Sequence, residues 1–321
     1  MALVGDHLYD VTDPLHPSVT CRFSIANARI FTGTTIEYLL PRAGGTSDLI
    51  LHSLGSNNES VTSTFMASPP QNSQLAWSGS WLAYSVLGNS GANGGSSTDV
   101  WVADSHAARK LFTYQVPAIG AVTRPGLPPF QLAFSPDGAY LLAGWAVSTL
   151  KVFRTSDWQE MSMSPFAPGH LWLGVWTRIG HTLYLVGDSI VSWAPEQGQK
   201  AVAGTHPWKI EPNFSPDGSQ LAFTDATPDG IRALVYDFGS AKSRVLVNQP
   251  RSDVIFVKPG WVWYLEEGPC SQCAEPTAAD GTVLGLNLAT GQESKVIFAP
   301  GDAPFQPPLI SLPAADLWPL S

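Results

Sequence analysis

The sequence predicts an all-β fold built from one four-stranded unit used again and again, and three observations predict it. The first is an internal repeat: Phe134-Ser-Pro-Asp-Gly138 returns 80 positions later as Phe214-Ser-Pro-Asp-Gly218. Each copy lies between two apolar runs, Gln131-Leu-Ala-Phe134 and Tyr140-Leu-Leu-Ala143 in the first, Glu211-Pro-Asn-Phe214 and Gln220-Leu-Ala-Phe223 in the second. This is hairpin chemistry: Pro fixes φ, Asp hydrogen-bonds back to the local backbone, and Gly takes the positive φ that ends the turn. The second observation is composition. Charged residues are 13% and apolar ones 44%, with 29 Gly and 27 Pro, which suits many short buried strands joined by tight turns. The third is the spacing of looser copies along the chain.

Aligned on the apolar residue before the first turn, the copies are anchored at Phe31, Trp77, Phe134, Trp176, Phe214, Phe256 and about Ile310. The intervals, about 38 to 57 residues, bracket the length of one four-stranded blade. Phe31-Thr-Gly-Thr-Thr-Ile-Glu-Tyr38 matches Trp77-Ser-Gly-Ser-Trp-Leu-Ala-Tyr84 in character, so Gly replaces Pro-Asp in those turns. The last copy, Ile310-Ser-Leu-Pro-Ala-Ala-Asp-Leu-Trp318, is degenerate. A second hairpin, third strand into fourth, is expected in each unit. The pairs are 7–13 with 18–23, 48–51 with 61–65, 99–102 with 110–113, 150–153 with 160–163, 190–193 with 200–202, 233–236 with 244–247, and 283–286 with 295–298. The chain thus opens on a third-and-fourth-strand segment and closes on a first-and-second-strand one. The expectation is a seven-bladed β-propeller of four-stranded antiparallel blades, one domain over residues 1–321. Its last blade is built from about 7–23 plus 305–318, so that pairing of the N-terminal and C-terminal half-blades closes the ring and hides the sheet edges.

The two Phe-Ser-Pro-Asp-Gly turns, followed by Leu-Leu-Ala or Leu-Ala-Phe, resemble the repeats of the TolB-type (WD-like) β-propeller family. Leu8-Tyr-Asp-Val-Thr-Asp-Pro-Leu-His-Pro17 is similar to the outer hairpins of other bacterial propellers. The resemblance covers nearly the whole chain and implies the fold and a bacterial setting. It does not choose a function, because such propellers serve as docking platforms, as ligand sensors and as enzymes. No Gly-x-Ser-x-Gly elbow of an α/β-hydrolase follows the repeats, so a propeller without a peptidase domain is expected.

A net charge of −9 disfavours nucleic acid and anionic membrane surfaces, which need a basic footprint. No apolar run of about 18 residues exists to span a bilayer. No basic, apolar leader starts at Met1, which leaves a removed signal peptide open.

Function is expected where connections exceed the minimum needed to turn the chain. The second-to-third connections 88–97, 225–230 and 266–281 and the fourth-to-first connections 116–129 and 299–308 open on one face. The opposite face carries tight turns. Arg124, His170, Trp172, His206, Trp208, Lys209, Glu211, Arg251 and Asp253 fall in or beside the long connections and are the expected ligand-binding residues at the mouth of the central channel. Trp101, Trp145, Trp158, Trp193, Trp261, Trp263 and Trp318 are expected to pack between sheets.

The expected function is a non-catalytic binding module, monomeric, for a protein, small-molecule or carbohydrate ligand. The alternative is an extracytoplasmic hydrolase or lyase with Glu211, Asp253, His170 and His206 as acid/base groups. No cofactor is expected, and no metal: the seven His lack paired spacing and no Asp-rich calcium loop appears. Cys270-Ser-Gln-Cys273 reads either as a local disulfide or as two reduced thiols, since zinc would need two further ligands. The disulfide favours a periplasmic, secreted or cell-surface location and leaves Cys21 odd; reduced thiols keep the cytoplasm open.

Overall fold

In the computed structural model the described residues are 2–299, except 5–6, 23–27, 33–34, 54–55, 57, 71–72, 89–96, 116–129, 146–148, 164–172, 178–180, 187–188, 205–212, 228–229 and 268–277. The strands follow one another as antiparallel meanders. The first sheet holds β1 (Ala2–Val4), β2 (His7–Asp10) and β3 (Ser18–Arg22). Six four-stranded sheets follow, each with its strands in chain order. The second is β4 (Ala28–Thr32), β5 (Thr35–Arg42), β6 (Thr46–Ser53) and β7 (Asn58–Phe65). The third is β8 (Leu75–Ser78), β9 (Trp81–Leu87), β10 (Ser97–Ala103) and β11 (Ala108–Gln115). The fourth is β12 (Phe130–Phe134), β13 (Tyr140–Trp145), β14 (Thr149–Arg154) and β15 (Glu160–Met161). The fifth is β16 (Leu173–Trp176), β17 (Leu183–Val186), β18 (Ser189–Ala194) and β19 (Gly198–Gly204). The sixth is β20 (Asn213–Phe214), β21 (Gln220–Thr227), β22 (Gly230–Asp237) and β23 (Lys242–Val245). The seventh is β24 (Arg251–Lys258), β25 (Trp261–Glu267), β26 (Ala278–Asn287) and β27 (Glu293–Lys295).

All seven expected third-into-fourth hairpins are present, and the six anchors from Phe31 to Phe256 lie in first strands. The repeated turn forms the same hydrogen-bond set twice. In the fourth sheet the Gly138 N–H donates to the Ser135 carbonyl, the Ser135 hydroxyl to Asp137 Oδ1, and the Tyr140 N–H to Ser135 Oγ. In the sixth sheet Gly218, Ser215, Asp217 and Gln220 do the same. Gly138 and Gly218 both have φ of 71°, the left-handed region that glycine enters without a Cβ penalty.

The contacts divide the chain into two compact units: Met1–Gly33, Leu185–Val191 and Ala201–Ser321, and Thr34–Tyr184 with Ser192–Lys200. In the second of these, the core lies between successive sheets. Leu39, Leu49 and Phe65 meet Trp77, Leu82 and Tyr84, and Val100, Val102 and Tyr114 meet Phe130, Leu141 and Phe153. Indole N–H groups also stitch neighbouring sheets, from Trp77 to Glu37 Oε2 at 3.2 Å between the third and second, and from Trp176 to the Ala133 carbonyl at 3.0 Å and Trp193 to the Ser162 carbonyl at 3.1 Å between the fifth and fourth. In the other unit, Ala222, Ala233 and Val235 pack on Val254, Phe256, Val262 and Tyr264, and the Phe256 N–H donates to Asn213 Oδ1 at 2.7 Å. The expectation that tryptophans pack between sheets holds for Trp158, Trp193 and Trp263, all buried.

Two features differ from the sequence reading. The stretch 225–230 is not a long connection, because β21 runs to Thr227 and β22 starts at Gly230, pairing Asp225 with Arg232 across the ladder. Opposite charges facing each other favour this extension of the hairpin. In the first sheet, β1 pairs with β2 through Ala2↔Tyr9, Leu3↔Leu8 and Val4↔His7, while β3 takes the other edge of β2. The N-terminus thus supplies three strands where two were expected. Residues 305–318 lie outside the described residues.

Candidate functional site

Antiparallel order places first-to-second and third-to-fourth connections at one end of each sheet and the remaining connections at the other. Among the described residues, the turns at the first end are short and internally bonded. Only 79–80 separate β8 from β9 and 259–260 separate β24 from β25, and the Asp104 and Asp237 side chains accept backbone N–H bonds within their turns. The other end holds the connections 66–74, 88–96, 116–129, 162–172, 205–212 and 268–277, alongside shorter ones at 43–45, 146–148, 187–188, 228–229 and 246–250. Expected site residues Arg124, His170, Trp172, His206, Trp208, Lys209 and Glu211, and both Cys270 and Cys273, lie outside the described residues.

Arg251 and Asp253 are described, and the structure gives them different jobs. Arg251 opens β24 and is buried, its Nε and Nη2 donating to Glu293 Oε2 and Oε1 at 3.2 and 3.0 Å. The Tyr264 hydroxyl donates to the same carboxylate at 2.6 Å, and the guanidinium lies 5.8 Å from the Tyr264 ring centre. Burial, then the hydrogen bond to Glu293 and its charge, push the Tyr264 phenol far up. Burial also pushes Glu293 upward, but the hydrogen bonds from Arg251 and Tyr264 outweigh it and hold the carboxyl below its ordinary value. A bidentate pair this shielded anchors the start of β24.

Asp253 sits in a β-bulge. The register between β24 and β25 slips between Ser252 and Ile255, and Asp253 takes φ of 52°, in the left-handed region. Its N–H leaves the ladder and donates to Thr224 Oγ1 in the neighbouring sixth sheet at 3.1 Å, and its Oδ2 accepts from the Ser252 hydroxyl at 3.1 Å. Bulges re-aim a side chain where a strand enters a site, and Asp tolerates this backbone better than most residues. Asp253 is half-buried at the end that carries the long connections.

Sequence reasoning proposed Arg251 and Asp253 but missed Thr224, Tyr264 and Glu293. Glu293 lies 42 residues beyond Arg251, and nothing in the spacing links them. Among the described residues, no group of three or more His, Cys, Asp or Glu could hold a metal ion, and no helix is long and apolar enough to cross a membrane.

Successive four-stranded meanders, with their cores between neighbouring sheets, define a β-propeller-type chain. No family model and no curated protein matches it. Among solved structures it is similar to a prolyl endopeptidase, at 11% identity and a TM-score of 0.52, over 90% of this chain and 46% of that one. It is also similar to TolB from Acinetobacter baumannii (12% identity, TM-score 0.42, 72% of this chain and 57% of that one). A third is the β-propeller domain of the Trilobed protease from Pyrococcus furiosus (14%, TM-score 0.42, 85% and 96%). The chain spans about half the length of the prolyl endopeptidase and of TolB. At these identities the likeness to the endopeptidase concerns the fold alone.

Proposed function

We propose that the seven sheets are the blades of one closed propeller over residues 1–321, and that it works as a monomeric, non-catalytic binding module outside the cytoplasm. The ligand is a protein, or a small molecule or carbohydrate, met at the end of the blades that carries the long connections. The observation that supports this is the asymmetry of the two ends: one whose described turns satisfy their own polar groups, the other carrying chain length beyond what turning requires. Trp172 and Trp208 supply aromatic area at low entropic cost, and Arg124, His170, His206, Lys209, Glu211 and Asp253 supply direction. Arg251, held by Glu293, sets the start of β24 and so the place of Asp253.

The test is calorimetric titration of an oligosaccharide and peptide panel against the wild type, Trp208→Ala, and Ser80→Arg in the tight turn before β9. Trp208→Ala should weaken binding at least about tenfold, or about 1.4 kcal/mol, with the fold intact, while Ser80→Arg leaves it unchanged. The reverse pattern would put the site at the tight-turn end. Turnover of a bound ligand, abolished by Glu211→Gln or Asp253→Asn with binding kept, would replace the binding module by a hydrolase or lyase. Location outside the cytoplasm rests on a Cys270–Cys273 disulfide, and a peptide mass that does not rise on reduction would remove that support.

A further inference from the structure

We infer that the turn at residues 11–17 is a latch that fastens the N-terminal sheet to the seventh sheet, and that it holds the two together without help from residues 301–321. Three carbonyls of the turn engage the seventh sheet. The Thr12 carbonyl accepts from Lys258 Nζ at 2.8 Å, the Pro14 carbonyl from the buried Trp263 Nε1 at 2.9 Å, and the Leu15 carbonyl from the Ile297 N–H at 2.8 Å. These partners are at least 246 residues apart in the chain.

The turn is shaped for this role from within. Asp10 Oδ1 accepts from the Thr12 N–H and Asp13 Oδ1 from the Leu15 N–H, so side chains satisfy the turn's donors and its carbonyls serve the neighbouring sheet. Leu15 enters a notch that exists because residue 285 is glycine: a Cβ there would lie 3.0 Å from Leu15 Cδ2 and 3.3 Å from Val296 Cγ2. Behind it Tyr9, Trp263 and Phe298 form an edge-to-face triangle with ring centres 5.5 to 6.0 Å apart. The Ile297 N–H follows an alternation at the sheet edge, since Val296 bonds inward to the Val283 carbonyl and Ile297 outward to Leu15. At Ile297, just beyond β27, the latch therefore also takes an N–H at the outer edge of the seventh sheet that would otherwise be open to another chain.

The alternative fastening is strand exchange from the C-terminus. Both edges of β2 are already paired, by β1 and by β3. A C-terminal strand would have to take the free edge of β1, whose three residues offer a very short ladder, or the outer edge of β3.

Hydrogen exchange of the full chain separates these cases, read at the amides of β2 and β3. Gly285→Val fills the notch and should speed their exchange at least about tenfold. Trp263→Phe keeps an aromatic ring but loses the bond to Pro14 and part of the indole's packing on Tyr9 and Phe298, which should speed it at least about fivefold, and it serves should Gly285→Val not fold. Ile310→Pro with Leu312→Pro, which abolish any strand pairing there, should leave exchange at β2 and β3 within about twofold. Unchanged exchange in the folded latch variants, or release of β2 and β3 by the proline pair, would overturn the inference.

Discussion

The two copies of the Ser-Pro-Asp-Gly turn form a natural experiment, because their backbones agree and their surroundings do not. Gly138 and Gly218 share φ of 71° and the same bonds to Ser135 and Ser215. A Cβ at position 218 meets nothing within 4 Å, whereas one at 138 would lie 2.8 Å from Ser78 Oγ and 2.9 Å from Ser78 Cβ, at the end of β8 in the neighbouring sheet. Gly218→Ala should therefore cost the left-handed penalty alone, about 1–2 kcal/mol. Gly138→Ala should cost that plus an overpacking term of about 1–3 kcal/mol, because the clash is with a short side chain close to its backbone. Urea unfolding at equal m-values measures both. Adding Ser78→Gly removes both clashing atoms, so in that background the cost of Gly138→Ala should fall to that of Gly218→Ala. Equal costs for the two single variants, or no rescue by Ser78→Gly, would refute the argument that the sheets press together at this turn.

Glu293→Ala strands the buried Arg251 guanidinium and should destabilise by about 3 kcal/mol in urea, while Tyr264→Phe, which leaves the ion pair whole, should cost about 1 kcal/mol. Ala241, exposed with φ of 53°, should gain about 1 kcal/mol on substitution by Gly in thermal melts. Trp158, at φ of 60° but buried edge-to-face on Trp81, should lose about 3 kcal/mol on the same change, since packing lost exceeds strain relieved. Tyr38 is pushed up to about 12, by burial first and then by its hydrogen bond to Glu59. The fold thus favours the neutral phenol: this stabilisation is whole below the ordinary value of 10.0 and is lost as pH rises through about 12. Ultraviolet titration should show this late phenol, and Glu59→Gln should move it down; no change on substitution would count against the pairing.

What the sequence by itself determined is the unit and its turns. Ser135, Asp137, Gly138 and Tyr140 complete their hydrogen bonds within six residues, so a five-residue motif specifies the hairpin wherever it occurs, and the spacing of such motifs counts the sheets. The tertiary structure decided which groups meet across sheets. Glu37 receives the indole of Trp77 40 residues on, and Arg251 meets Glu293 42 residues on. At one turn position the left-handed residue is Gly198 or Gly291 where nothing crowds it, but Trp158 where a gap beside Trp81 rewards a large ring. In sequence, an Arg beside a connection looks the same whether it faces solvent or a carboxylate, and the Arg251–Glu293 pair is visible only in the structure. Stacking the sheets makes that choice, since burial removes water from a charge and leaves only the partner that packing brings within reach.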